Sequence, residues 1–62
     1  MIGANIKKYR KKKKMSQEEL AQKIGYERST IAKWENGSLK PYAETLREIS
    51  KVLDVSIENL YK

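Results

Sequence analysis

The chain of 62 residues contains no cysteine and no histidine. Without cysteine it forms neither a disulfide nor a thiolate metal site, which excludes the framework that staples many small secreted domains. Without histidine it lacks the commonest metal ligand and the usual proton shuttle near neutral pH. Nucleophilic triads and most metal centres therefore have no parts to be built from. No apolar run approaches the roughly 20 residues of a membrane-spanning helix, and no basic start with an apolar stretch marks a signal peptide. The three glycines, Gly3, Gly25 and Gly37, are too dispersed for a phosphate-cradling loop. Glu18 and Glu19 are adjacent and diverge on a helix, while Glu44 and Glu48 read as ordinary surface charges beside Arg47 and Lys51. These absences lead to the expectation of a small soluble cytoplasmic protein with no cofactor and no catalysis, whose work is binding.

What is present in excess is positive charge. Lysine and arginine number 14 against 8 acidic residues, a net charge of +6, with a pI near 9.7. Half of the positive side chains lie in residues 7–14, KKYRKKKK, and no acid precedes Glu18. Such a run suits nucleic acid, a membrane surface, or a solvated helix end, where the macrodipole favours cations by ~0.3–1 kcal/mol each.

Apolar periodicity gives five short helical segments and nothing resembling a strand, so the expected fold is all-α. Ile2, Ile6, Tyr9, Arg10 and Lys13 follow helical spacing, which places an arginine on an inner stripe. Ser16-Gln17-Glu18-Glu19 is a capping box opening a second helix that carries Leu20, Ala21 and Ile24 inward and stops at Gly25. After Gly25-Tyr26-Glu27 a third helix follows, ERSTIAKWENG, with Ile31 and Trp34 on its inner face and Asn36-Gly37 at its end. Leu39 is available to plug the core from the following loop. Leu46, Ile49 and Leu53 mark a fourth helix, and Ser56 is expected to cap a last turn bearing Ile57, Leu60 and Tyr61. Each helix falls below the ~12–15 residues at which isolated helices become marginal in water, so they must pack on one another. The expected core is Ile2, Ile6, Leu20, Ala21, Ile24, Ile31, Trp34, Leu39, Leu46, Ile49, Leu53, Ile57 and Leu60 in one domain spanning residues 1–62.

A helix, a three-residue turn and a helix across residues 16–37, with a small Ala21 and Gly25 at the crossing, is the arrangement of a helix-turn-helix. The stretch SQEELAQKIGYERSTIAKWENGSLKP resembles the helix-turn-helix of the Cro and phage-repressor (XRE) family, and the closing LDVSIENL matches as well. The resemblance implies a compact five-helix, lambda-repressor-like DNA-binding domain, with helices two and three as the motif. It implies that Gln17, Arg28, Ser29 and Lys33 face bases in the major groove. Ser16, Asn36, Ser38 and Lys40, with Arg10 nearby, would contact the sugar-phosphate backbone. The chemistry agrees, because arginine and lysine read guanine N7 and O6 and serine is a small, permissive partner. Plain solvation of Gln17, Ser29 and Lys33 is the competing reading. Family members often pair an arginine at the position of Arg10 with a glutamate at that of Glu35, and a buried charge needs such a partner.

Four positions depart from the family pattern. Lys14 replaces a glycine between helices one and two, which requires a left-handed lysine. Glu27 and Tyr42 stand where small N-caps are common, and Asp54 where glycine often ends helix four. The expectation is a sequence-specific transcriptional regulator, a repressor, from a bacterium, phage or mobile element. It would act as a homodimer, weak in solution, on a pseudo-palindromic operator with half-site centres about 34–36 Å apart. The candidate self-contact is a small patch centred on Val55, drawn from Leu53, Val55, Ile57 and Tyr61. An alternative is the antitoxin or partner-binding DNA-binding subunit of a two-protein system. Another is a nonspecific binder of nucleic acid or membrane surfaces, resting on the lysine run alone.

Overall fold

In the computed structural model, which describes residues 1–62, five helices follow one another without a strand: α1 (Ile2–Lys12), α2 (Gln17–Ile24), α3 (Arg28–Asn36), α4 (Ala43–Leu53) and α5 (Ile57–Tyr61). No helix is long and apolar enough to cross a membrane. Nine side chains form the buried cluster: Ile6, Leu20, Ala21, Ile31, Trp34, Leu46, Ile49, Leu53 and Leu60. Each large one contributes roughly 1.5–3 kcal/mol by leaving water. Helix α1 lies against both α3 and α5, and α2 bridges α3 and α4.

The start of α2 follows directly from its sequence. The Glu19 N–H donates to the Ser16 hydroxyl at 3.0 Å, and the Ser16 N–H donates to Glu19 Oε1 at 2.8 Å, so two otherwise orphaned donors are satisfied. The Ser16 backbone bond and then the Ser16 side-chain bond, with the Lys23 charge contributing least, hold the Glu19 carboxyl below its ordinary value against desolvation. A lowered folded-state pKa stabilises above the unfolded value, and this contribution is lost as pH falls through the lowered one.

Glycine is required at Gly3 by a close approach. A β-carbon there would collide with the Trp34 carbonyl oxygen and lie 2.8 Å from that of Glu35. That contact sets how near α1 comes to α3.

Helices α1 and α4 end in the same way, on left-handed residues that are not glycine. Lys14 has φ 56° and Asp54 φ 58°. The Met15 N–H bonds the Arg10 carbonyl and the Lys14 N–H that of Lys11; Val55 and Asp54 repeat the pattern on Ser50 and Lys51. Both ends are Schellman motifs, in which the left-handed position favours glycine. Lys14→Gly is therefore expected to raise unfolding stability by about 1 kcal/mol, read as a higher urea midpoint. Asp54→Gly should gain less, because aspartate tolerates this conformation better. A lower midpoint for Lys14→Gly would contradict the strain.

Several expectations require correction. Leu39 is 47% exposed, because the buried Pro41 and Trp34 already close that side. Ile2, Ile24 and Ile57 are half-buried and pack around the cluster without joining it. Ser56 occupies the N-cap of α5, but its side chain makes no capping bond, so that short helix relies on Ile57 and Leu60 packing. Tyr26 secures the α2–α3 turn, with its ring edge-on to Trp34 at 4.9 Å and its hydroxyl 3.1 Å from Thr45 Oγ1.

Candidate nucleic-acid interface

The turn Gly25-Tyr26-Glu27 joins α2 to α3, with Gly25 at φ 79° reversing the chain. Ile31, Trp34 and Glu35 are the buried side of α3. The opposite side of α3 is wet. Ser29 and Lys33, one turn apart, share an exposed face, and Arg28 is exposed at the N-terminal tip. Glu27 gives the helix no side-chain cap, and no ion pair joins it to Arg28. The guanidinium instead turns toward Gln17, donating from Nη1 to Gln17 Oε1 at 3.4 Å.

Gln17 is also held from inside. Its Nε2 donates to Glu35 Oε1 at 3.0 Å, so the amide oxygen is the end turned toward Arg28. Glu35 in turn receives the Arg10 guanidinium in a fork, Nε to Oε2 at 2.7 Å and Nη2 to Oε1 at 3.0 Å. Arg10 uses Nη1 on the Met15 carbonyl at 2.8 Å. The two charged residues are only 7% and 8% exposed. A continuous chain of hydrogen bonds thus runs from the end of α1 through Arg10, Glu35 and Gln17 to Arg28. It fastens three helices where their N- and C-terminal ends converge.

The remaining candidate residues border this surface. Ser16 is exposed at the N-cap of α2, where the helix's unsatisfied N–H groups favour an anion. Asn36 accepts the Ser38 N–H on Oδ1 at 2.8 Å, which leaves its amide nitrogen to donate outward. Ser38 and Lys40 are exposed in the loop after Gly37, itself left-handed at φ 86°. Arg10 differs from the others: it is buried and committed to Glu35 and Met15, so any part it plays toward phosphate is electrostatic. Trp34 is 3% exposed and cannot serve as a base-stacking platform.

Tyr42 adds a surface feature that its reading as a weak N-cap does not convey. It is 81% exposed beside Lys40 and Pro41, bordering the hollow that also touches Thr30 of α3. The available signal was an aromatic at a position where a small N-cap is usual.

A short helix pair crossing through Ala21 and Gly25, with a polar outward face on the second helix, defines a helix-turn-helix protein. The family model described as helix-turn-helix matches residues 6–60, and the chain belongs to that family. It is 44% identical over all 62 of its residues to YqaE of Bacillus subtilis, an uncharacterized HTH-type transcriptional regulator, of which it covers 53%. The chain thus spans about half the length of the curated relatives it matches, SinR of Bacillus subtilis among them at 55%. The crystal structure of SinR in complex with DNA superimposes with a TM-score of 0.91 at 41% identity, covering 100% of both chains. The phage P22 c2 repressor in complex with a synthetic operator gives a TM-score of 0.90 at 33% identity, over 97% of this chain and 91% of that one.

Proposed function

We propose that the chain is a sequence-specific double-stranded DNA-binding regulator, acting as a repressor, that reads the major groove with α3. The observation that carries this reading is the exposed row Arg28, Ser29 and Lys33 on the second helix of the motif, flanked by Ser16, Asn36, Ser38 and Lys40. That order, base readers in the middle and backbone contacts at both ends, suits a duplex lying across α3. The DNA-bound state of SinR and of the P22 repressor in their crystals supports it. Gln17 joins the reading face as the link between Glu35 and Arg28. Work on DNA inside a bacterial or phage-infected cell implies a cytoplasmic location.

The protein acts as a homodimer assembled on a pseudo-palindromic operator. One module of this kind covers roughly 600–1,000 Å² and reads a single half-site, which is too little to select an operator in a genome. The self-contact is small. Leu53 is only 1% exposed and has no surface to offer the contact. Val55 is half-buried beside Lys12 and Lys13, whose charges would meet their own copies across a dyad. That shifts the contact from Val55 toward the half-buried Ile57 and the 52% exposed Tyr61. Such a patch falls below the ~1,000 Å² of a stable interface.

Sedimentation velocity at micromolar concentration should therefore give mostly monomer, and two copies per duplex once operator is added. A tight dimer without DNA that survives Tyr61→Asp would overturn the assembly. Absence of any preferred duplex would overturn the function itself.

A further inference from the structure

The lysines of residues 7–14 have no role in the surface above. Arg10 faces α3, and Lys8 and Lys12, two residues away on either side, lie about 200° round α1 from it. On α1 they therefore point away from α3, which Arg10 meets through Glu35. Their ammonium groups sit over the Tyr9 ring, 5.3 and 5.4 Å from its centroid. Neither has a carboxylate within 4.0 Å, since the ion pairs are Arg10–Glu35 and a loose Lys13–Asp54 contact at 3.9 Å. Beside them is a hollow of about 410 Å³ formed by Tyr9, Lys12, Lys13, Leu53, Asp54 and Val55. Its floor is apolar, and its rim carries Lys12 and Lys13 against the single carboxylate of Asp54, which lies 3.9 Å from Lys13.

From this we infer that the hollow between α1 and the α4–α5 turn docks an acidic segment of a partner protein. An aliphatic or aromatic side chain of the segment would enter over the half-buried Tyr9 and Val55, and its carboxylates would meet Lys8, Lys12 and Lys13. Charge complementarity selects the partner. A second copy brings lysines against lysines, and a phosphate backbone has nothing to offer the apolar floor. The cations over Tyr9 are already ordered by the ring, which reduces the entropy lost on pairing. Because the face points away from α3, the partner binds while the operator is held. This rests on the DNA-binding reading only in that respect, and peptide binding is measured separately from operator binding.

The test uses isotope-labelled protein saturated with an operator duplex obtained by selection, followed by amide NMR. The probe is an acetylated synthetic peptide of alternating glutamate and leucine. Shifts are expected at Tyr9, Lys12, Lys13, Asp54 and Val55 with the duplex still bound. Joint Lys12→Gln and Lys13→Gln substitution should weaken the peptide about tenfold. Three results would overturn the proposal. These are a peptide affinity unchanged by that double substitution, peptide-induced shifts at Arg28, Ser29 and Lys33 through displacement of the operator, and the same shifts at Tyr9 and Val55 from a second, unrelated duplex.

Discussion

Replacing Glu35 with glutamine is expected to lower unfolding stability by about 3–5 kcal/mol, the usual result of leaving one half of a buried ion pair behind. The substitution keeps the shape of the side chain, so the loss is electrostatic and not a matter of packing. Glu35 accepts three hydrogen bonds, two from Arg10 and one from Gln17. An amide in its place has only one acceptor oxygen and turns N–H groups toward donors. Arg10 would keep its bond to Met15 but lose its counter-charge at 7% exposure. A domain of this size rarely has more than ~3–5 kcal/mol to lose, so the variant should be largely unfolded at room temperature. Replacing both partners with apolar residues, Arg10→Met with Glu35→Leu, should cost much less than either single change. Circular dichroism during thermal unfolding checks both. A Glu35→Gln protein melting with the parent would mean that the pair contributes little.

The second large effect concerns the choice of base. Arg28 has five N–H donors and spends one on Gln17, leaving a fork for guanine O6 and N7. Loss of one such contact should reduce discrimination at that base pair by about 1–3 kcal/mol, roughly 5- to 150-fold. Arg28→Ala and Lys33→Ala should each relax preference at their own position, and Gln17→Ala should follow Arg28→Ala because it releases the same guanidinium. Lys40→Ala should behave differently, weakening all duplexes about equally and reducing the slope of affinity against salt by about one. Competition binding against single-base operator variants at two salt concentrations separates the classes. If Lys33→Ala leaves every base preference intact, that lysine belongs to the solvated surface.

Much of this arrangement is legible in the residues themselves. The capping box at Ser16–Glu19 and the glycines Gly25 and Gly37 mark their helix ends because local hydrogen bonding and backbone freedom decide those features. Arg10 stands out because helical register puts a charge on an apolar stripe. What local pattern does not carry depends on distances between helices. Gly3 reads as a neutral helix residue until α1 is laid on the carbonyls of α3. Leu39 looks like core by hydropathy, but the path of its loop gives the inner position to Pro41. The amide of Gln17 looks free to meet DNA, yet one end is drawn to Glu35 from a helix 18 residues further along the chain. The lysines of residues 7–14 look like a uniform run, and only the placement of α1 sets Lys8 and Lys12 together over Tyr9.

The central claim, that α3 reads a specific duplex sequence, is tested most directly by selecting bound sites from a random DNA pool with the folded protein. Two inverted copies of one short motif are expected, with centres about 34–36 Å apart so that both recognition helices meet one face of the helix. Guanine should be enriched where Arg28 and Lys33 reach, and that enrichment should disappear when the selection is repeated with Arg28→Ala and Lys33→Ala. Recovery of no common motif, or of one that persists unchanged in both variants, would contradict the assignment of α3 as the reading surface.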